Sequence, residues 1–236
     1  MRVLDIDLDF FLSDTCPFAE EGSRPDESSA APWLKDEVRR FLRNNLLLNE
    51  ARPIPGRVFE THDGALFFWR DLIKSGLLNP PFEVTHVDAH TDLGVAQHGY
   101  PFIRHSVLCR PVSARADIDT YLESHQLNEA NYLLFALAFR WVSRLDNLRI
   151  PASKPDMPPE LPSGDGKTLR LSSAFPALFE ARYGEEPAVI YREFADGRDY
   201  FSDSPYDFVS LAMSPRYAPA SADALKDVFS DFILPF

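Results

Sequence analysis

The stretch HVDAHTDLG, residues 86–94, sets Asp88, His90 and Asp92 two residues apart at the end of an apolar run. Side chains of a strand alternate between its faces. A spacing of two therefore puts Asp88 and His90 on one face at the strand's carboxyl end, with Asp92 just beyond in the loop. Two carboxylates and an imidazole converging there form a mixed oxygen and nitrogen donor set that suits Mn, Fe or Zn, and a carboxylate can bridge two such ions. The bland alternative is a polar strand end meeting solvent, with His90 in an ordinary hydrogen bond. The coincidence of three ligand-type side chains with a strand terminus argues against it. Near the N-terminus, RVLDIDLD at 2–9 alternates Asp5, Asp7 and Asp9 with Ile6 and Leu8. Three carboxylates on one face of an apolar strand repel one another and lose hydration on burial, and a dication removes both costs. The competing explanation is an exposed edge strand kept from aggregating by its acidic residues. A third segment, FETHD at 59–63, places Glu60, His62 and Asp63 before a helix, and gains weight only beside the other two.

These groups need a scaffold, and the hydrophobic pattern predicts one. Period-2 alternation predicts a strand over 2–9, and apolar FEVTHV predicts another over 82–87. Helical spacing of apolar residues predicts helices over 33–48 and 63–78, the second after a cap at Thr61 or Asp63. The apolar stretch 131–145 reads as a helix or a strand and helix pair. Strands are expected at 189–193 and 208–213, and a helix from 220 to about 232. Strands alternating with helices imply an α/β fold with a mainly parallel sheet. Two segments read as surface excursions from a single domain spanning 1–236. One is the polar, turn-rich loop at about 20–32, a candidate substrate lid, and the other is 151–166 with its five prolines.

Bulk properties narrow the function. With 236 residues of which 45% are apolar, the chain is long enough to bury a full core. A net charge of −12 disfavours nucleic acid and anionic membranes as partners and favours a cationic substrate. Cys16 and Cys109 form no CxxC, so neither a disulfide framework nor a thiolate zinc site is indicated, and a cytoplasmic location is expected. Residue patterns for nucleotide-binding loops and serine hydrolases do not occur.

VDAHTD at 87–92 is similar letter for letter to the metal-binding motif of arginases and agmatinases, and DIDLDFF at 5–11 resembles their paired-Asp motif. FETHDG at 59–64 resembles their His motif, and MSPRYAP at 213–219 resembles the Ser-Pro-rich segment of agmatinases. The combination most resembles an arginase-like group whose bacterial members include peptide arginases, which convert arginine to ornithine in ribosomally made peptides. The resemblance implies a three-layer arginase-like fold, circularly permuted because the paired-Asp strand opens the chain instead of following the VDAHTD strand. It implies two Mn2+ ions that activate a water. One would be held by His62, Asp88 and Asp92, the last also catalytic, and the other by Asp88 and His90. Asp7 and Asp9 complete the set with Asp5 behind them, although an Asp5 and Asp7 register stays open. His105, fifteen residues after His90, matches the family's proton-shuttling His, with His98 as competitor.

One departure concerns substrate binding. Arginases carry a Glu at the position of Ala212 to grip the guanidinium, so another carboxylate is needed here, with Glu60, Asp63 and Glu193 as candidates. The loop LGVAQHGYPF at 93–102 is largely apolar where free-arginine enzymes place charge-recognising groups, which favours an arginine-containing peptide as substrate. Alternatives are an agmatinase-like or deacetylase-like hydrolase of another C–N bond, and a metal-binding or peptide-binding module without catalysis.

Overall fold

The computed structural model describes residues 1–94 and 99–236. Eight strands form one sheet: β1 (Arg2–Asp7), β2 (Ile54–Phe59), β3 (Phe82–Val87), β4 (Val142–Leu148), β5 (Thr168–Leu169), β6 (Val189–Phe194), β7 (Phe208–Ala212) and β8 (Ile233–Pro235). Their order is β5-β6-β4-β3-β1-β7-β2-β8, and every pair is parallel except β5 with β6. The chain is thus an α/β protein with a mainly parallel sheet, as its alternating pattern predicts.

Burial on both faces explains the strand sequences. Val3, Val84 and Leu145 point into one apolar layer, where α2 (Gly64–Lys74), α4 (Ile118–Glu123) and α5 (Tyr132–Ala138) pack. Between α2 and α4 the short helix α3 (Gly99–Phe102) runs into a π-helical turn, Ile103–Val107. Leu4, Ile6 and Leu211 point into the opposite layer, closed by α1 (Lys35–Asn44) and α7 (Lys226–Ser230). The remaining helix, α6 (Pro176–Tyr183), lies outside both layers. Helices on both faces of the sheet give three layers.

Several boundaries differ from the sequence reading, each for a local reason. The first strand ends at Asp7, because the Asp7 side chain accepts a hydrogen bond from the Asp9 amide at 3.0 Å and turns the chain into a 3-10 helix, Leu8–Phe11. Asp9 therefore leaves the strand. The 131–145 stretch resolves into α5 followed by β4, and the segment from 220 starts as a 3-10 helix, Ala220–Leu225, before α7. Strand β2 was not anticipated because Pro55 and Gly56 break its pattern. It pairs with β7 and β8 near the sheet edge, where those residues are tolerated. Of the two excursions, 151–166 is not wholly peripheral, since Leu161 is buried in the first layer. The 20–32 loop is tied at several points, including Arg24 paired with Asp223 at 2.9 Å.

Candidate metal centre

Four parallel strands end side by side. Asp5 lies beside His86 of β3 and Ser210 of β7, and Asp7 lies beside Ala212, which in turn neighbours Phe59 of β2. The carboxyl ends of β1, β2, β3 and β7 thus open onto one crevice, where α/β sheets collect functional groups. Asp7, Asp9, His62, Asp88, His90 and Asp92, the six residues expected as ligands, are brought together there and all but His90 are buried. Asp92 sits at φ 50 and Ser214, which follows β7, at φ 42, backbone conformations uncommon for residues other than glycine. Such strain gathers at functional sites, and here it turns the Asp92 carboxylate back toward His62.

The donor atoms fall into two groups joined by Asp88. In the first, His62 Nδ1 lies 2.9 Å from Asp92 Oδ2, 3.0 Å from Asp88 Oδ2 and 3.2 Å from Asp7 Oδ2. In the second, His90 Nδ1 lies 2.9 Å from Asp9 Oδ2 and 3.5 Å from Asp88 Oδ1. A ring nitrogen has one hydrogen to donate, so it cannot serve three carboxylates. Moreover His62 Nδ1, Asp88 Oδ2 and Asp92 Oδ2 are buried without a hydrogen-bond partner among the described residues. Ions of this type hold oxygen and nitrogen donors at about 2.0–2.2 Å, which spaces neighbouring octahedral donors about 3 Å apart. The observed spacings match, so the donor set fits a metal ion, and the second group with the shared Asp88 leaves room to read a pair.

Charge tells the same story. Burial, then Asp7 and Asp88, push the Asp9 carboxyl up to about 8, and burial, then Asp88, push Asp92 to about 8. Burial opposes a charged His90, but Asp9 and Asp88 outweigh it and raise the ring to about 12. His62 is likewise raised, with Asp5 the largest force against burial, and Asp88 is held low by His62 and His90 despite its burial. The cluster sets four carboxyl groups against two rings, and the excess is met by protons on Asp9 and Asp92, charge that a cation could neutralise instead.

Residues behind the cluster fix its geometry. Asp5 is fully buried, accepts from the Ser210 and Tyr132 hydroxyls, and contacts His86 Nδ1 at 3.0 Å and His62 Nε2 at 3.4 Å. His86 Nε2 reaches Asp88 Oδ2 at 3.3 Å. The Ser214 hydroxyl donates to Asp7. His86 was legible in the sequence, two residues before Asp88 and hence on its face. Tyr132 and Ser210 carried no such signal.

A cavity of about 260 Å³ opens over the cluster, walled by Phe18, Gly94, Glu129, Asp156 and Tyr217. None of the carboxylates expected to hold a substrate lines it. Glu60 and Asp63 face an adjoining outer groove, and Glu193 lines a separate pocket and accepts from the Tyr191 hydroxyl at 2.7 Å. The carboxylates on the cavity wall are instead Glu129 and Asp156, which lie far from the motifs in sequence. His105 is exposed on the π-helical turn with its ring against Phe175, and it does not line the cavity. His98 lies outside the described residues. Cys16 and Cys109 are free thiols, and among the described residues no helix is long and apolar enough to cross a membrane.

No family model and no curated protein matches the chain. What fold and site define is a class: an α/β protein with a mainly parallel sheet and a buried Asp and His cluster, compatible with metal, at the carboxyl ends of its central strands.

Proposed function

We propose that the protein is a binuclear metal hydrolase of guanidino groups, converting arginine residues of a peptide to ornithine with release of urea. The observation that carries the reading is the sharing of Asp88 between two donor groups beneath an open cavity. His62, Asp7, Asp88 and Asp92 would hold one manganese ion, and His90, Asp9 and Asp88 the other. Bound divalent ions supply Lewis-acid activation of a water and of the C–N bond to be broken.

The chain's own residues do the rest. Asp5 and His86 orient His62 and Asp88 from behind, the Ser214 hydroxyl fixes Asp7, and the cavity wall limits water around the substrate. Motif resemblance supports the guanidino chemistry, and the net charge of −12 supports a cationic substrate. With His105 away from the cavity and both cavity-lining rings, His62 and His90, given to the ions, proton delivery to a leaving amine falls to solvent in the cavity.

Elemental analysis after manganese loading, paired with urea release from arginine, agmatine and an arginine peptide blocked at both ends, tests the proposal. About two ions per chain and kcat/KM for the peptide at least about tenfold above free arginine are expected. Tight binding of a single ion, or no urea from any of the three, would overturn it.

A further inference from the structure

Two carboxylates outside the cluster line the cavity, and they differ in how they are held. Asp156 is spoken for: it accepts from the Thr91 amide at 2.9 Å and pairs with Arg149 Nη1 at 2.9 Å. Glu129 makes one polar contact among the described residues, a single-oxygen approach of 3.4 Å from Arg216 Nη1, although its side chain is only 12% exposed. A fully engaged arginine and carboxylate pair is bidentate and closes to about 2.7–2.9 Å. Elsewhere in this protein Glu186 takes Arg115 through both oxygens at 2.8 and 2.9 Å. Glu129 thus keeps acceptor capacity free, on the wall of the cavity that the metal cluster floors.

Its mounting is rigid. The Asn128 amide donates to Asn131 Oδ1 at 2.9 Å, the Ala130 amide to Asn128 Oδ1 at 3.0 Å, and Asn131 is fully buried. The neighbouring surface suits a flat cation. The Arg216 guanidinium lies 4.0 Å over the Phe18 ring, Phe18 packs on Tyr217 at 5.3 Å, and Tyr217 on His90 at 5.1 Å. On its side toward the adjoining outer groove, this wall already holds one guanidinium, stacked on an aromatic face and leaning on Glu129.

We propose that Glu129 is the residue that selects for positive charge in the cavity, anchoring the guanidinium of the substrate beside the Tyr217 ring with its carbon toward the Asp and His cluster. The inference rests on reading that cluster as the reaction centre. It assigns to a loop before α5 the task that Glu60, Asp63 and Glu193 do not reach the cavity to perform.

The test compares two probes on the manganese-loaded full chain: a short peptide with one arginine, blocked at both ends, and the same peptide with neutral citrulline. Calorimetry gives their affinities for wild type, Glu129→Gln and Arg216→Gln, with metal content measured alongside. Expected is at least a tenfold preference for the arginine peptide in wild type, its loss in Glu129→Gln with metal content unchanged, and its retention in Arg216→Gln. A preference that survives Glu129→Gln overturns the inference, and so does equal binding of both probes by wild type. Loss of the preference in Arg216→Gln as well assigns Glu129 to holding Arg216, and also overturns it. Urea release separates the two proposals. Preference lost in Glu129→Gln without urea from wild type keeps this inference and sinks the hydrolase reading, while urea release with preference intact in Glu129→Gln does the reverse.

Discussion

Asp88 offers the sharpest test of a shared metal centre, because each of its oxygens faces a different donor group: Oδ2 lies 3.0 Å from His62 Nδ1 and Oδ1 3.5 Å from His90 Nδ1. Asp88→Asn keeps the shape and the acceptor for the His90 amide, now at 2.6 Å, but removes one charge from both groups. In the metal-free protein the effects oppose one another. His62 keeps Asp92 and Asp7 at 2.9 and 3.2 Å and His90 keeps Asp9 at 2.9 Å, while Asp9 and Asp92 lose a repelling neighbour. His86 Nε2, however, loses its 3.3 Å partner and the rings lose a carboxylate that they hold low, so the metal-free variant should melt below wild type by about 1–3 kcal/mol, or ~2–12 °C for a chain of this size. Metal changes the comparison. At a free ion concentration about 100 times Kd, one bound ion stabilises the wild type by about 2.7 kcal/mol, or ~5–11 °C. Groups that merely orient ligands cost about 10–100-fold in affinity when removed, so losing a shared ligand should cost at least ~100-fold. The same ion concentration then sits near Kd and adds only about 0.4 kcal/mol, or ~1–2 °C. Thermal melts with and without manganese, at matched concentrations, read both numbers. A variant that retains the full manganese-induced rise would refute the idea that Asp88 joins two sites.

Proton release should accompany metal loading, since Asp9 and Asp92 hold protons up to about 8 and only their ionised forms bind a cation. The His62 and His90 rings, raised above the usual imidazole range, must also lose a proton to bind. Affinity should accordingly climb as pH rises toward about 8 and go on climbing above it, and calorimetry in two buffers of different ionisation enthalpy checks this; a pH-independent affinity without proton release contradicts it. Ser214→Ala removes the hydroxyl that fixes Asp7 and should weaken manganese binding about 10–100-fold with little change in melting of the metal-free protein; unaltered affinity would show that Asp7 needs no such support. Glu186→Gln strands the fully buried Arg115 and should cost about 3–5 kcal/mol at neutral pH, seen as a drop in the denaturant midpoint. Burial raises the Glu186 carboxyl, but Arg115 and Arg140 outweigh it and leave it lowered, so its contribution is present above the usual carboxylate range and fades as pH falls through the lowered value. The gap between variant and wild type should therefore narrow in acid, and a gap that widens there would put the pairing in doubt.

What the sequence revealed and what it hid divide along physical lines. Asp88, His90 and Asp92 were legible because period 2 at a strand end leaves little choice of where the side chains go, and Asp7 followed from the same alternation. Asp9 was placed correctly in space for a partly wrong reason. It reaches the cluster from a 3-10 turn made by the Asp7 side chain, a local bond that no hydrophobic period reports. The cavity wall stayed hidden because Phe18, Glu129 and Tyr217 come from three separate loops, and loops carry no periodicity to say where they return. His105 shows the converse hazard: a spacing borrowed from a resemblance assumes equal turns between, and here the π-helical turn at Ile103–Val107 leaves its ring on the surface.

The cluster is expensive to build, and the expense bears on its purpose. Five of its ring and carboxylate atoms, His62 Nδ1 and Nε2, His86 Nε2, Asp88 Oδ2 and Asp92 Oδ2, are buried without a hydrogen bond among the described residues. Each lies 2.9–3.4 Å from a buried Asp or His partner as an ion pair, but a ring nitrogen shared among several carboxylates leaves lone pairs unmet, and a buried polar atom left without a partner costs about 1–3 kcal/mol. They also sit at the carboxyl end of the sheet, on β3 (His86) or in the loops that follow β2 (His62) and β3 (Asp88 and Asp92), where buried apolar residues of similar volume would pack without that cost. A fold can carry such a group only if something in the working protein repays it. Polar neighbours are already in place and do not: Ser210, Ser214 and Tyr132 spend their hydroxyls on Asp5 and Asp7 and leave the converging atoms bare. Cations of small radius satisfy several converging lone pairs at once, which is the physical sense in which this arrangement is compatible with metal.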